Sequence, residues 1–256
     1  MKSVILENQK LKRENEDLRR QLAETKTNLQ TALSSVSHEM KNTLTLVIGN
    51  SRLLEQEQPS IASGSRWKSI QSDLLHMRSF LLDVSSFKSM DQIRLDRRLC
   101  DLSAFLRDVC RSCGGWFDGS HRRLVLSCPD TAEVLYADTN KLYQALVNLI
   151  KNGLEALGTE GTVSILLRTG TEEEQKRIGA ETAVIEVKDT GCGLSREDME
   201  NALRPFCTTK QDGTGLGLPI AKSITEAHGG ILSLSSEPGK GTTAALLLPR
   251  LPSLYK

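Results

Sequence analysis

The 256-residue chain is poor in aromatic residues, which make up only 4% of it, so its core must be built from aliphatic side chains. It also lacks an excess of either charge: 33 Lys and Arg stand against 32 Asp and Glu, a formal net charge of +1. A chain so balanced offers no bulk attraction to nucleic acid or to an anionic membrane. No run of 18 or more apolar residues occurs, and no membrane-spanning segment is expected. The opening MKSVILENQKLKREN turns charged too early for a secretory signal. Six cysteines (Cys100, Cys110, Cys113, Cys128, Cys192 and Cys207) show no framework spacing. Cys110 and Cys113 form one C-x-x-C, but no second pair or suitably spaced histidines complete a zinc site. They fall in the amphipathic stretch LSAFLRDVCRSC and are expected to be reduced packing residues, which suits a cytoplasmic setting.

What is present is globular: 38% hydrophobic and 25% charged residues, in a length that suits one large domain or two modest ones. Three segments follow one another. The first, to about residue 58, reads as one long helix. With Val4, Leu11 and Leu18 at heptad position d, Leu22, Leu29 and Val36 fall at a. Asn8 and Asn15 occupy other a positions and Thr25 a d position, so the seam is imperfect. The helical spacing continues through Leu33, Val36, Met40, Leu44, Val47 and Leu54.

EQPSIASGS breaks this pattern through Pro59 and Gly64. A second stripe follows, with Trp67, Ile70, Leu74, Met77, Leu81 and Val84 on one helical face. Two long amphipathic helices joined by a short turn form an antiparallel hairpin. Such a hairpin cannot bury its stripes alone, and pairing two copies makes a four-helix bundle.

Within SVSHEMKN, His38 lies roughly 200° around the helix from Val36, at about 100° per residue, and so on the polar face. Glu39 follows it directly. An exposed imidazole beside a carboxylate is available to react, although most exposed histidines do nothing of the kind.

KSMDQIRLDRRLCDLS reads as a polar connector to the third segment, about residues 100 to 252. There, β-rich runs (RLVLSC, EVLYA, TVSILLR, AVIEVKD, ILSLSS, TTAALLL) alternate with helical stretches and glycine turns. That pattern predicts an α+β domain whose largely antiparallel sheet is covered by helices on one face.

Four stretches of this segment carry chemistry. In NLIKNGLEAL, Asn148 and Asn152 lie four apart on one helical face, where two amides suit Mg²⁺ that also carries phosphate oxygens. In VKDTGCGL, Asp189 closes a strand ahead of Gly191 and Gly193, a place where a carboxylate suits an adenine amino group. PFCTTK by itself reads as a polar loop. In GTGLGLPIAKSI, Gly213, Gly215 and Gly217 precede a helix whose N-terminal N–H groups can meet phosphate. The G-x-G-x-G spacing is neither a Rossmann fingerprint nor a Walker loop. Each stretch alone is weak; their order within about seventy residues is what discriminates.

In that order the chain resembles the cytoplasmic core of a bacterial two-component sensor histidine kinase. SHEMKN is similar to the family's H box, NLIKNGLEAL to its N box, DTGCG to G1, PFCTTK to the F box and GTGLGL to G2. The resemblance implies a coiled coil over residues 1–30 and a dimerisation and phosphotransfer hairpin over 31–92, forming a dimeric four-helix bundle. It implies an α/β-sandwich Bergerat (GHKL) ATP-binding domain over 100–252. By the same resemblance Asn152 would coordinate Mg²⁺ with Asn148 nearby, and Asp189 would bind adenine beside Gly191 and Gly193. Gly213, Gly215 and Gly217 would hinge a short lid. Thr208, Thr209 and Lys210 would neighbour the phosphates, and Lys151, Phe206 and Leu216 complete the ATP-binding set. His228 would be structural.

His38 would then take the γ-phosphoryl group of ATP, assisted by Glu39, and pass it to a response-regulator receiver domain. Asn42, one turn further on, would orient water for regulator dephosphorylation. The chain departs from the family at Thr43, where a proline is usual, and a straighter helix is expected there. Competing readings are another GHKL ATPase, which would lack an H box on a dimerising hairpin, and a non-catalytic coiled-coil scaffold, which would lack intact nucleotide motifs.

Overall fold

The computed structural model describes residues 36, 39–88, 93–117, 121–129, 133–208, 210 and 213–250. The heptad stretch 1–30, His38 and Thr209 lie outside the described residues. The chain divides into two compact units, Met1–Lys88 and Ser89–Lys256.

The described residues of the first unit form a helical hairpin. Helix α1 (residues 39–57) runs to a short α2 (Pro59–Ala62), which Pro59 opens, and then to α3 (Ser65–Lys88). Proline suits this place because its missing N–H would have no helical partner there. Near the turn, Trp67 Nε1 donates to Glu55 Oε1, and Gln71 Nε2 donates to Ser51 Oγ at 3.1 Å. Toward the open end, Leu44, Leu81 and Val84 are buried. Other described positions of the two stripes are not: Met40, Val47, Leu54, Ile70 and Met77 are all exposed within the single chain. One hairpin thus covers only part of its apolar surface.

At Thr43 the helix continues unbroken. The Thr43 hydroxyl donates to the Glu39 carbonyl at 3.1 Å, and Thr45 repeats the arrangement on Lys41 at 2.7 Å. Among the described residues no helix is long and apolar enough to cross a membrane.

The second unit contains β1 (Arg98–Asp101), α4 (Leu102–Gly114), β2 (His121–Ser127), β3 (Val134–Ala137), α5 (Thr139–Ala156), β4 (Glu160–Thr169), α6 (Glu172–Ile178), β5 (Thr182–Asp189), α7 (Arg196–Asn201), α8 (Gly217–Ala227), β6 (Ile231–Glu237) and β7 (Gly241–Pro249). Five strands form one sheet in the order β2-β4-β5-β7-β6, while β1 and β3 form a separate antiparallel ribbon. The β2–β4 pairing is parallel and the other three are antiparallel.

The sheet's alternation creates two faces. Val163, Ile165, Leu167, Ile185, Val187, Leu246 and Leu248 point into the main core with the buried faces of α4, α5 and α8. The opposite face is not bare: Val184, Ala245 and Leu247 form a smaller cluster with Ile178 of α6 and Ile231. Helices therefore lie on both faces, which corrects the one-sided expectation: α4, α5 and α8 cover one face and the short α6 packs on the other. An ion-pair network fixes α6 there, with Arg168 Nη1 at 2.7 Å from Glu174 and Nη2 at 2.6 Å from Glu186. Thr171 and Glu174 close a capping box at the α6 N-terminus, and Gly179 ends the helix in the left-handed region.

Strand β1 falls in the stretch read as a polar connector. Cys113 is fully buried on α4, and burial first, then the neighbouring Cys113 and Cys128, pushes the Cys110 thiol up to about 11. Cys113 packs in the core, and Cys110 is half-buried beside it.

Candidate active site

Four pieces of the second unit meet: the C-terminal half of α5, the end of β5, the connection from Phe206 to Leu216, and the start of α8. Helix α5 is set by its N-cap, where Asp138 Oδ1 accepts from the Lys141 N–H at 3.1 Å. Its buried stripe of Leu142, Ala145, Leu146, Leu149 and Ile150 fixes the rotation about its axis. That rotation leaves Asn148 and Asn152 on one half-buried face. Asn148 Nδ2 donates to the Gly217 carbonyl at 3.3 Å, and Gly217 also lies against Asn152 Nδ2. The N-terminus of α8 therefore rests on the asparagine face. The N-cap residue of α8, Leu216, makes no side-chain cap hydrogen bond, so the positive helix end is available to an anion.

Asp189 closes β5 and is buried. Its Oδ1 accepts from the Gly191 N–H at 2.8 Å and from the Thr242 N–H at 3.3 Å, leaving Oδ2 for an incoming donor. Burial raises its pKa, against the opposing pull of those two N–H donors and of the Lys210 charge. Gly241 makes this seat possible. Its φ is +93°, and a β-carbon there would strike the Asp189 carbonyl oxygen. The next turn is tied to the end of α5, where the Cys192 N–H donates to the Ala156 carbonyl at 3.2 Å. Gly193 packs over the Glu237 carbonyl.

The connection to α8 is pinched. Phe206 adopts a positive φ of 63° and donates its N–H to the Gly215 carbonyl at 3.1 Å. Gly215, at φ +65°, has no room for a side chain: a β-carbon would lie 2.7 Å from the Phe206 carbonyl carbon and the Cys207 oxygen. Leu216 is fully buried and seats the connection on the core. Thr208 Oγ1 accepts from the Lys210 N–H at 3.1 Å, and the Gly213 N–H donates to the Lys210 carbonyl at 3.3 Å. This turn sends the Lys210 side chain back to α5, where Nζ lies 3.4 Å from the Asn152 carbonyl and 2.6 Å from Glu155 Oε2. Lys151 is exposed and reaches Glu155 Oε1 at 4.0 Å.

The structure thus brings Asn148, Asn152, Asp189, Lys210 and the glycines together. Glu39 and Asn42 belong to the first unit, both exposed on α1. Sequence reasoning missed Glu155, although it lies one turn after Asn152 in the same motif. It also missed Gly241 and Thr242, whose close approach to Asp189 arises only when β7 pairs with β5.

The donor set suits a phosphorylated ligand with a hard cation: amide oxygens, a helix N-terminus without a side-chain cap, an ammonium group and a buried carboxylate. Residues 137–252 match the family described as Histidine kinase-, DNA gyrase B-, and HSP90-like ATPase. The sensor histidine kinase ZraS of Salmonella typhimurium is 28% identical over 228 residues, covering 84% of this chain and 44% of that protein. Sporulation kinase B of Bacillus subtilis is 30% identical over 243 residues, covering 92% of this chain and 54% of that protein.

The chain is similar to the catalytic cores of sensor histidine kinases.

The chain shares its fold with part of full-length ShkA, crystallised in complex with AMPPNP, with a TM-score of 0.69 at 24% identity. That match covers 85% of this chain and 45% of the ShkA chain. The chain spans about half the length of the relatives named above.

Proposed function

We propose that the chain transfers the γ-phosphoryl group of ATP to His38 and passes it to an aspartate of a response regulator. The observation that carries this reading is the meeting of the Asn148–Asn152 face with the α8 N-terminus and Lys210, beside a buried Asp189 with an oxygen to spare. Asp189 Oδ2 accepts the adenine amino group, and the α8 N–H groups with Lys210 hold phosphate oxygens. The Asn152 amide oxygen holds Mg²⁺, with Asn148 nearby; the ion supplies charge neutralisation on the phosphates. The complex of ShkA with AMPPNP, an adenine nucleotide analogue, supports the choice of ligand. An ATP-consuming reaction of this kind fits the cytoplasm.

A neutral imidazole nitrogen of His38 attacks the γ-phosphorus, the bond to the bridging oxygen breaks, and ADP leaves. Glu39 takes the proton from the other ring nitrogen, so the phosphoimidazole is left uncharged on its ring. Most of the acceleration comes from positioning and charge neutralisation, as in other phosphoryl transfers.

The reading includes a homodimer. The apolar residues left exposed on both hairpin helices, among them Val47, Leu54, Ile70 and Met77, support pairing into a four-helix bundle through residues 31–92, extended by a coiled coil over 1–30. Asn42, one turn beyond His38, orients water that dephosphorylates the regulator.

Incubation with γ-labelled ATP and Mg²⁺, beside His38→Gln, tests the assignment. Acid-labile label that vanishes in the variant is expected; acid-stable label retained in the variant overturns it. Asn42→Ala should abolish regulator dephosphorylation and spare autophosphorylation.

A further inference from the structure

Glu155 sits one helical turn beyond Asn152, and two cations meet its carboxylate. Lys210 Nζ stands 2.6 Å from Oε2, and Lys151 Nζ stands 4.0 Å from Oε1. Lys210 arrives from the far side of the site, 55 residues along the chain, and is also 3.4 Å from the Asn152 carbonyl. Its ammonium group is thereby held against the stretch of α5 assigned to metal and phosphate. The arrangement contains a conflict. Phosphates draw on the Lys210 charge, while a carboxylate one turn from Asn152 repels them once Lys210 has left it. Lys151 removes the conflict, because it lies four residues before Glu155 on the same helix, where an opposite charge is a neighbour.

We propose that Glu155 is a charge-exchange residue for the nucleotide: it holds Lys210 beside Asn152, yields it to the phosphates on binding, and passes to Lys151. The proposal rests on the reading of this site as an ATP site. Glu155 accordingly lowers nucleotide affinity by the worth of the Lys210 pair, and in return keeps Lys210 in place and its own charge neutralised. Lys210 and Glu155 are 36% and 38% exposed, so the pair belongs to the weak, solvent-screened class. Its loss is worth about two- to five-fold in affinity.

The test is calorimetric titration of the full chain with ATP and Mg²⁺, using wild type, Glu155→Gln, Lys210→Met and the double variant. Glu155→Gln is expected to bind ATP about two- to five-fold more tightly. Lys210→Met is expected to bind more weakly, and adding Glu155→Gln to it should restore nothing, since Lys151 already neutralises the carboxylate. Unchanged or weaker binding by Glu155→Gln overturns the proposal. A gain of equal size in the Lys210→Met background also overturns it, because general charge repulsion would then be the cause. If wild type itself takes up no ATP, the ATP-site reading falls, and that outcome is distinct from both.

Discussion

His228 Nε2 accepts a hydrogen bond from the Asp138 N–H at 3.1 Å, and this contact ties the C-cap of α8 to the N-cap of α5. The other ring nitrogen, Nδ1, lies 2.8 Å from the Ile224 carbonyl, so it carries the proton and the imidazole is neutral. Asp138 Oδ2 takes the Asp96 N–H at 3.0 Å, and Arg97 caps the Ala227 carbonyl at 2.7 Å. Helices α5 and α8 are thus fastened at the end remote from Asn148 and Gly217. The brace sets where the α8 N-terminus meets the asparagine face.

Replacing His228 with Ala leaves the buried Asp138 N–H without its acceptor and should cost about 2 kcal/mol. Burial lowers the His228 pKa from its ordinary 6.5. As pH falls, the unfolded chain therefore takes up the proton before the folded one. The stability that His228 contributes is complete above about 6.5 and declines below it. Urea denaturation of wild type and His228→Ala at pH 7.5 and 5.5 checks this. The gap between the two should narrow at the lower pH, and a widening gap contradicts the neutral-imidazole brace.

The brace also shows where sequence reasoning stops. Asn148 and Asn152 could be placed on one face because the helical period alone does it, and the G-x-G-x-G run could be set ahead of a helix for the same local reason. The Asp138–His228 contact joins residues 90 apart, and the Lys210–Glu155 pair residues 55 apart, so no local spacing announces either. Strand β1 was invisible for a related reason. Arg98-Leu99-Cys100-Asp101 shows no useful alternation, and Leu99 is 71% exposed. What makes it a strand is antiparallel pairing with β3, Leu99 opposite Tyr136. Thr43 was legible in the other direction, since the absence of proline alone implied the unbroken helix that α1 displays.

Asp189 offers a test in which binding and stability separate. Its buried carboxylate has a raised pKa, so ionisation works against the fold there. Asn is nearly isosteric and can still accept from the Gly191 and Thr242 N–H groups through one oxygen. Asp189→Asn should therefore leave the thermal midpoint unchanged or higher. It presents an amide –NH₂ where the carboxylate offers Oδ2, and adenine nucleotide binding should weaken by roughly ten- to a hundred-fold, the worth of a charge-assisted hydrogen bond. Differential scanning calorimetry and nucleotide titration on the same sample measure both. Loss of stability together with binding would mark Asp189 as a purely structural residue.

The outer-face network predicts an acid dependence of opposite origin. The Arg168 hydrogen bonds first of all hold the Glu174 carboxyl down at about 2. A depressed carboxylate pKa contributes stability that is present above the unfolded value of 4.5 and is lost as pH falls through the folded value. Arg168 is 30% exposed and Glu174 18%, so solvent screening reduces the contribution of Glu174 to about 1–2 kcal/mol. Glu174→Gln should be less stable than wild type by that amount at pH 7, with the difference closing between pH 4.5 and 2. Nucleotide binding should not change, because α6 lies on the face of the sheet away from α5 and α8.

Thr43 provides the last test. Its hydroxyl returns to the Glu39 carbonyl within an unbroken helix, and a proline at this position would clash with that same carbonyl and remove a helical N–H donor. Thr43→Pro should destabilise the hairpin by about 3 kcal/mol and bend α1 one turn after His38. The effect belongs to the first unit, so hydrogen exchange should speed up in residues 39–47 and stay constant across β4, β5 and β7. If bending at this point drives phosphotransfer in the wider family, the variant should also change the rate at which His38 is labelled at saturating ATP. A changed rate with unchanged ATP affinity would show that α1 geometry, rather than nucleotide binding, limits the step. A rate identical to wild type would mean that the straight helix already presents His38 productively, and that Thr43 is a neutral replacement.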